Sequence, residues 1–89
     1  TLAGLAALGK RCAFIGQVCD DQLGAVFTHD VRALGVRYDT PAVKGDVPTA
    51  RCLILVTPDA QRTMNTFLGA SQFLPESALD LDLIRSASI

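Results

Sequence analysis

Three places along this 89-residue chain gather side chains able to do chemistry. In GQVCDDQLG, residues 16–24, Cys19 stands beside Asp20 and Asp21. A thiol just ahead of a helix could have its pKa lowered and act as a nucleophile, and adjacent carboxylates could divide acid and base roles. Each has a structural rival. No His or Lys accompanies Cys19 locally, which favours a small packed thiol. A strong helical pattern follows Asp20-Asp21, which favours capping of that helix by one of them. His29 falls on the helix side away from Leu23, Val26, Val31 and Leu34, so it is expected at the surface rather than as a base or ligand. The third place is RTMNTFL, residues 62–68, where Thr63, Asn65, Thr66 and Phe67 could line a small-molecule pocket. An edge strand with a solvated face would show the same pattern.

Other chemistries lack their residues. Gly9, Gly16 and Gly24 form neither GxGxxG nor GxxxxGK, so no standard phosphate cradle is present. Cys12, Cys19 and Cys52 are an odd set without CxxC or a histidine cluster, which argues against a disulfide framework or a zinc site and points to a reducing cytoplasm. Eight Lys and Arg against nine Asp and Glu leave a net charge of -1 with no basic stripe, disfavouring nucleic-acid binding. No segment approaches the roughly 20 apolar residues of a membrane helix.

The elements that must position these groups can be read from periodicity. TLAGLAALG predicts the last turns of a helix ending at Gly9, and RCAFIGQV, residues 11–18, a strand buried on both faces. Leu23, Val26, Phe27, Val31 and Leu34 recur at helical spacing and Gly35 closes that helix. Val36–Tyr38 predicts a brief strand before a loop rich in turn residues. ARCLILVT and RTMNTFL, separated by PDAQ, predict a β-hairpin with Pro second in its turn. LPESALDLDLIRSAS, residues 74–88, predicts a helix starting at Pro-Glu. The order gives an α/β class with a hairpin at an edge or over a cleft. With 49% apolar residues, 19% charged and a mean hydropathy of +0.33, several segments expect cover that so short a chain can scarcely supply. The chain also opens without Met inside a helical pattern, and is expected to be a slice of something larger.

Taken together, LAALGKRCAFIGQVCDDQLGAVFTHDVRALGV and PTARCLILVTPDAQRTMNTFLGAS resemble the ribokinase-like (PfkB) sugar and nucleoside kinases, most closely the adenosine-kinase-like branch. Gly16, Val18, Asp21 and Gly24 match the family's GxVGxDxxG, and Leu34, Gly35 and Val36 its LGV. Thr49, Pro58-Asp59 and Gly69-Ala70 match later motifs. Cys19, Ala50, Ala60 and Ser71 depart from them, three of them where the family carries glycine.

The resemblance implies part of a three-layer α/β/α fold with a hairpin lid: residues 1–35 as helix, strand and helix of the core, 36–71 as lid strands and hairpin, and 72–89 as a return helix. It implies a parent enzyme that transfers the ATP γ-phosphate to a hydroxymethyl group of a sugar or nucleoside, with Mg²⁺ and a C-terminal GxGD whose Asp is the base. ATP and Mg²⁺ would be held outside these residues, which alone are expected to be inactive. Cys52, Asn65 and Phe67 are the candidates for facing substrate, Cys52 having core packing as its alternative and Phe67 a lid-to-lid contact in a homodimer. Two other readings compete: a non-catalytic interaction module using the hairpin edge, and a redox protein using Cys19.

Overall fold

The structure, a computed structural model, describes residues 1–89. Helix α1 (Leu2–Ala7) ends in a Schellman arrangement, with Gly9 N–H donating to Ala6 C=O and Lys10 N–H to Leu5 C=O. It delivers the chain into β1 (Cys12–Phe14). Helix α2 (Gln22–Ala33) then crosses back, and β2 (Val36–Tyr38) pairs with β1 in parallel, Cys12 opposite Val36 and Phe14 opposite Tyr38. This β-α-β unit is closed by three rings. Phe14, Phe27 of α2 and Tyr38 stand with centroids 5.6–5.7 Å apart, two of the three pairs edge to face. Tyr38 is 1% exposed, and its hydroxyl donates to Gly16 C=O at 3.0 Å. Burial pushes its phenol pKa up.

The strand expected over residues 11–18 is paired only at Cys12–Phe14, because β2 offers three residues before the chain turns away. The next neighbour is Val43, whose N–H donates to Val18 C=O and whose C=O accepts Asp20 N–H. Between them the buried Gln17 amide donates to the carbonyls of Val18 and Pro41, both at 3.0 Å. The partner of β2 is β1, and not a strand of the expected hairpin.

Strands β3 (Arg51–Val56) and β4 (Arg62–Phe67) form the antiparallel hairpin. Beyond it comes a 3-10 turn, Gly69–Phe73, and the expected helix over residues 74–88 is replaced by a second 3-10 turn, Glu76–Ala78, and a short helix α3 (Leu81–Ser86). Leu79 is extended at φ -78° and ψ 113°, and Asp80 accepts Leu83 N–H at 2.9 Å. Aspartate at the cap satisfies an orphan donor that Pro75 cannot, so the helix starts later than the Pro-Glu pair implies.

Only 9 of the 89 residues are buried. A compact protein of this mass would expose about 5,000 Å² and have a radius of gyration of about 12 Å. This chain exposes 6988 Å² with a radius of 15.0 Å. Exposed apolar side chains include Leu23 and Val26 of α2 and residues on both hairpin faces.

Candidate functional site

The hairpin is the element the sequence singled out for binding, and its turn decides which side chains meet. Thr57 N–H donates to Gln61 C=O at 3.0 Å, and Ala60 N–H to Thr57 C=O at 2.9 Å. Pro58-Asp59 therefore form a tight turn to which Ala60 adds a third loop residue, at φ 65°. The left-handed position expected to want glycine is thus filled by alanine. The Asp59 carboxylate braces the turn by accepting the Thr57 hydroxyl, a bond that holds its pKa below the ordinary aspartate value, with help from Gln61 N–H.

A three-residue loop makes cross-strand partners share the parity of their numbers. Arg51 faces Phe67, Leu53 faces Asn65 and Leu55 faces Thr63; Cys52, Ile54 and Val56 lie opposite Thr66, Met64 and Arg62 on the other side. Cys52 and Thr66 are 3.3 Å apart there, Sγ to Oγ1. The three candidates for facing substrate therefore do not line one surface. Asn65 and Phe67 share a face; Cys52 is on the opposite one, exposed rather than packed in a core. A two-residue loop would have put Cys52 opposite Asn65, and the extra Ala60 reverses that.

On the Asn65 face, the Arg51 guanidinium sits over the Phe67 ring at 5.3 Å, a cation–π pair absent from the sequence reading. Both strands are exposed along their whole length, including Leu53, Leu55, Ile54 and Met64. An isolated two-stranded hairpin is marginal in water, so both faces of this one are built to be covered. The two main concavities of the chain, one along α2 beside Cys19, His29 and Arg32 and one near Phe14, Asp39 and Leu83, include none of its residues.

The hairpin's root is the opposite kind of place. Asp21 is the cap of α2, its Oδ1 accepting Gly24 N–H at 2.8 Å. The same oxygen accepts the Thr49 hydroxyl at 2.6 Å, while Oδ2 accepts Thr49 N–H at 2.8 Å. Thr49 Oγ1 in turn accepts Cys19 N–H at 2.9 Å. Hydrogen bonds from the Thr49 hydroxyl, then from the Thr49 and Gly24 amides, hold the Asp21 carboxyl below its ordinary pKa, and the charge of Arg51 adds to this. Pro48 C=O accepts Ala70 N–H at 2.9 Å, so the outgoing and returning chains are tied together where they leave the core. Gly69, at φ 50°, allows this approach: a Cβ there would lie 2.2 Å from Pro48 O.

Of the expected pair, Asp21 caps and Asp20 is exposed. Cys19 is a packed thiol, 5% exposed, its Sγ 3.7 Å from Gly45 C=O, and its φ is not positive, so a side chain fits where the motif has glycine. His29 is exposed and pairs only with Asp30. The part Thr49 plays was not foreseen, although a threonine between proline and a strand start, matching a family motif, was the available signal. No three His, Cys, Asp or Glu side chains converge as a metal site would require.

The chain's full length, residues 1–89, matches the model of the pfkB family of carbohydrate kinases. Adenosine kinase from Sinorhizobium meliloti is 48% identical, with a TM-score of 0.89 over 96% of this chain and 26% of that one. A probable sugar kinase protein from Rhizobium etli CFN 42 is 49% identical, with a TM-score of 0.85 over 93% of this chain and 25% of that one. Probable fructokinase-6, chloroplastic, of Arabidopsis thaliana is 32% identical over 97% of this chain and 23% of its own length. The chain spans about a quarter of these relatives, and no helix in it is long and apolar enough to cross a membrane. Its fold is a portion of the ribokinase-like α/β fold, and the chain belongs to the pfkB family of carbohydrate kinases.

Proposed function

We propose that this chain is the core-edge and substrate-lid portion of an ATP-dependent kinase that phosphorylates a hydroxymethyl group of a nucleoside or sugar. The observation that carries this reading is the hairpin: exposed along both strands with apolar side chains on both faces, yet tied to the core at a buried, hydrogen-bonded root. A cover that must close over a small molecule and exclude water needs such a division. The 48% identity to an adenosine kinase and the 49% identity to a probable sugar kinase support an acceptor of the nucleoside or sugar class.

On this reading the Asn65 face meets the acceptor. Phe67 offers a ring for stacking, Asn65 an amide that can both donate and accept, and Arg51 holds the ring from the other strand. Cys52, on the opposite face, then has no direct part in binding, and that face is available to a second copy in a lid-to-lid homodimer. ATP supplies the transferred phosphoryl group and Mg²⁺ offsets its charge. The residues present here do not fit either group, since neither a phosphate cradle nor a converging carboxylate set is among them. The chain's own contribution is to cover and orient the acceptor and to keep water from competing for the phosphoryl group. By itself it is expected to be inactive. Three free cysteines accord with a reducing cytoplasm.

The test is an ATP-dependent phosphorylation assay of the full-length parent against a panel of nucleosides and sugars. Transfer to at least one nucleoside or sugar is expected. No transfer to any member would favour the interaction-module reading, in which the exposed hairpin recruits another chain.

A further inference from the structure

We propose that Asp21 and Thr49 are positioning residues that set the angle of the hairpin over the acceptor, a role that rests on the kinase reading above. No element other than its partner strand packs substantially against either β3 or β4, so the hairpin's attitude is fixed at its root. There the two rails are joined by the Ala70 N–H to Pro48 C=O bond, and the next residue, Thr49, hangs from a single carboxylate by its amide (2.8 Å) and its hydroxyl (2.6 Å). That carboxylate also holds Gly24 N–H in the first turn of α2. Thr49 Oγ1 is itself fixed from behind by Cys19 N–H, and its hydroxyl lies 2.6 Å from Asp21 Oδ1 against 3.4 Å from Cys19 C=O, which directs the proton to Asp21.

Thr49 is 5% exposed and Ala70 1%, against hairpin strands exposed throughout. Rotation of the hairpin must therefore be taken up at Ala50 and Leu68, immediately beyond a fixed pair of anchor points. A carboxylate suits the anchor because it accepts from the helix and from Thr49 without competing donors. Asparagine would keep one acceptor for Gly24 but turn an N–H toward Thr49 N–H. The consequence concerns the acceptor and not ATP, because the hairpin covers only the former. A sub-ångström loss of alignment is enough to lower capture and turnover of a covered substrate.

The experiment uses the full-length parent with Thr49→Val, which keeps the shape and loses the hydroxyl, Thr49→Ser, which restores it, and Asp21→Asn. Thr49→Val is expected to raise the acceptor KM on the order of tenfold, to leave the ATP KM within about twofold, and to be rescued by Thr49→Ser. Amide hydrogen exchange, read without substrate, is expected to speed up at residues 49–56 and 62–70 and not in the middle of α2. Equal shifts in both KM values, or wild-type kinetics and exchange in Thr49→Val, would overturn the proposal. If Thr49→Val does not fold, Asp21→Asn carries the same expectations and the same refutation. If the wild-type parent phosphorylates nothing, the kinase reading fails on its own, and the exchange pattern still decides whether this carboxylate anchors the hairpin.

Discussion

The root of the hairpin and its blade are neighbours in sequence and opposites in construction. At the root, Asp21 is bonded to Thr49 and Pro48 to Ala70, and the backbones approach so closely that Gly69 cannot bear a Cβ without a shift. Along the blade, Leu53, Leu55, Ile54, Val56 and Met64 are exposed, with little of this chain beyond the partner strand against them. The difference separates two tasks. Directional bonds fix where the hairpin points, and undirected apolar surface waits for what it will cover. Changes at the root should alter stability and alignment; changes on the blade should alter recognition.

The largest effect is expected at Gly69. Its replacement by alanine forces a left-handed alanine, about 1–2 kcal/mol, and an overpacked contact with Pro48 O, about 1–3 kcal/mol. Denaturant unfolding of the parent should show that loss, and a Gly69→Ala protein of unchanged stability would mean the root is not close-packed.

Acid offers a second way to separate the regions. The Asp21 carboxyl is held below its ordinary value of 3.8, first by the Thr49 hydroxyl. A carboxylate whose folded pKa is depressed adds stability above its unfolded pKa and loses it as pH falls through the folded one. Exchange protection of the Thr49 amide should therefore persist down to pH 3.8 and disappear only below it, while the middle of the blade, away from the Asp59 turn, shows no such step. Loss of protection well above that pH would contradict the geometry of the root.

A third comparison sets one blade face against the other. Asn65→Ala should raise the acceptor KM about tenfold, the equivalent of one lost hydrogen bond, whereas Cys52→Ser should change it by no more than about twofold. Equal effects would erase the distinction between the faces. The smallest effect belongs to Ala60→Gly. Relief of the left-handed alanine, about 1 kcal/mol, is offset in part by glycine's greater unfolded-state entropy, about 0.4–1 kcal/mol. A gain of a few tenths of a kcal/mol in the unfolding free energy is the expected outcome.

What was legible in the sequence follows the same division. Helix α2, its Asp cap and the hairpin could be read because each depends on neighbours within a few residues. The facing of Cys52 could not be inferred from alternation alone. It turns on whether Ala60 counts as loop or strand, and one residue reverses a face. The late start of α3 was missed because Pro75-Glu76 is a valid helix opening that Asp80 simply outcompetes. Thr49 was hidden for another reason: its partners Cys19 and Asp21 lie 30 and 28 residues earlier, and no local pattern records such a bond. The pairing of β2 with β1 rather than with the hairpin is a non-local choice of the same kind.

The tie between Pro48 and Ala70 also bears on how such proteins diversify. Because the chain leaves the core and re-enters it at two adjoining points, everything from Ala50 to Gly69 forms a closed loop of sequence whose ends are tied to each other by the Ala70 to Pro48 hydrogen bond. A segment with that property can be exchanged between relatives as a cassette, with new acceptor preferences arriving on an unaltered scaffold. Junctions cut at Thr49 and Ala70 should yield folded chimaeras where cuts inside either strand do not.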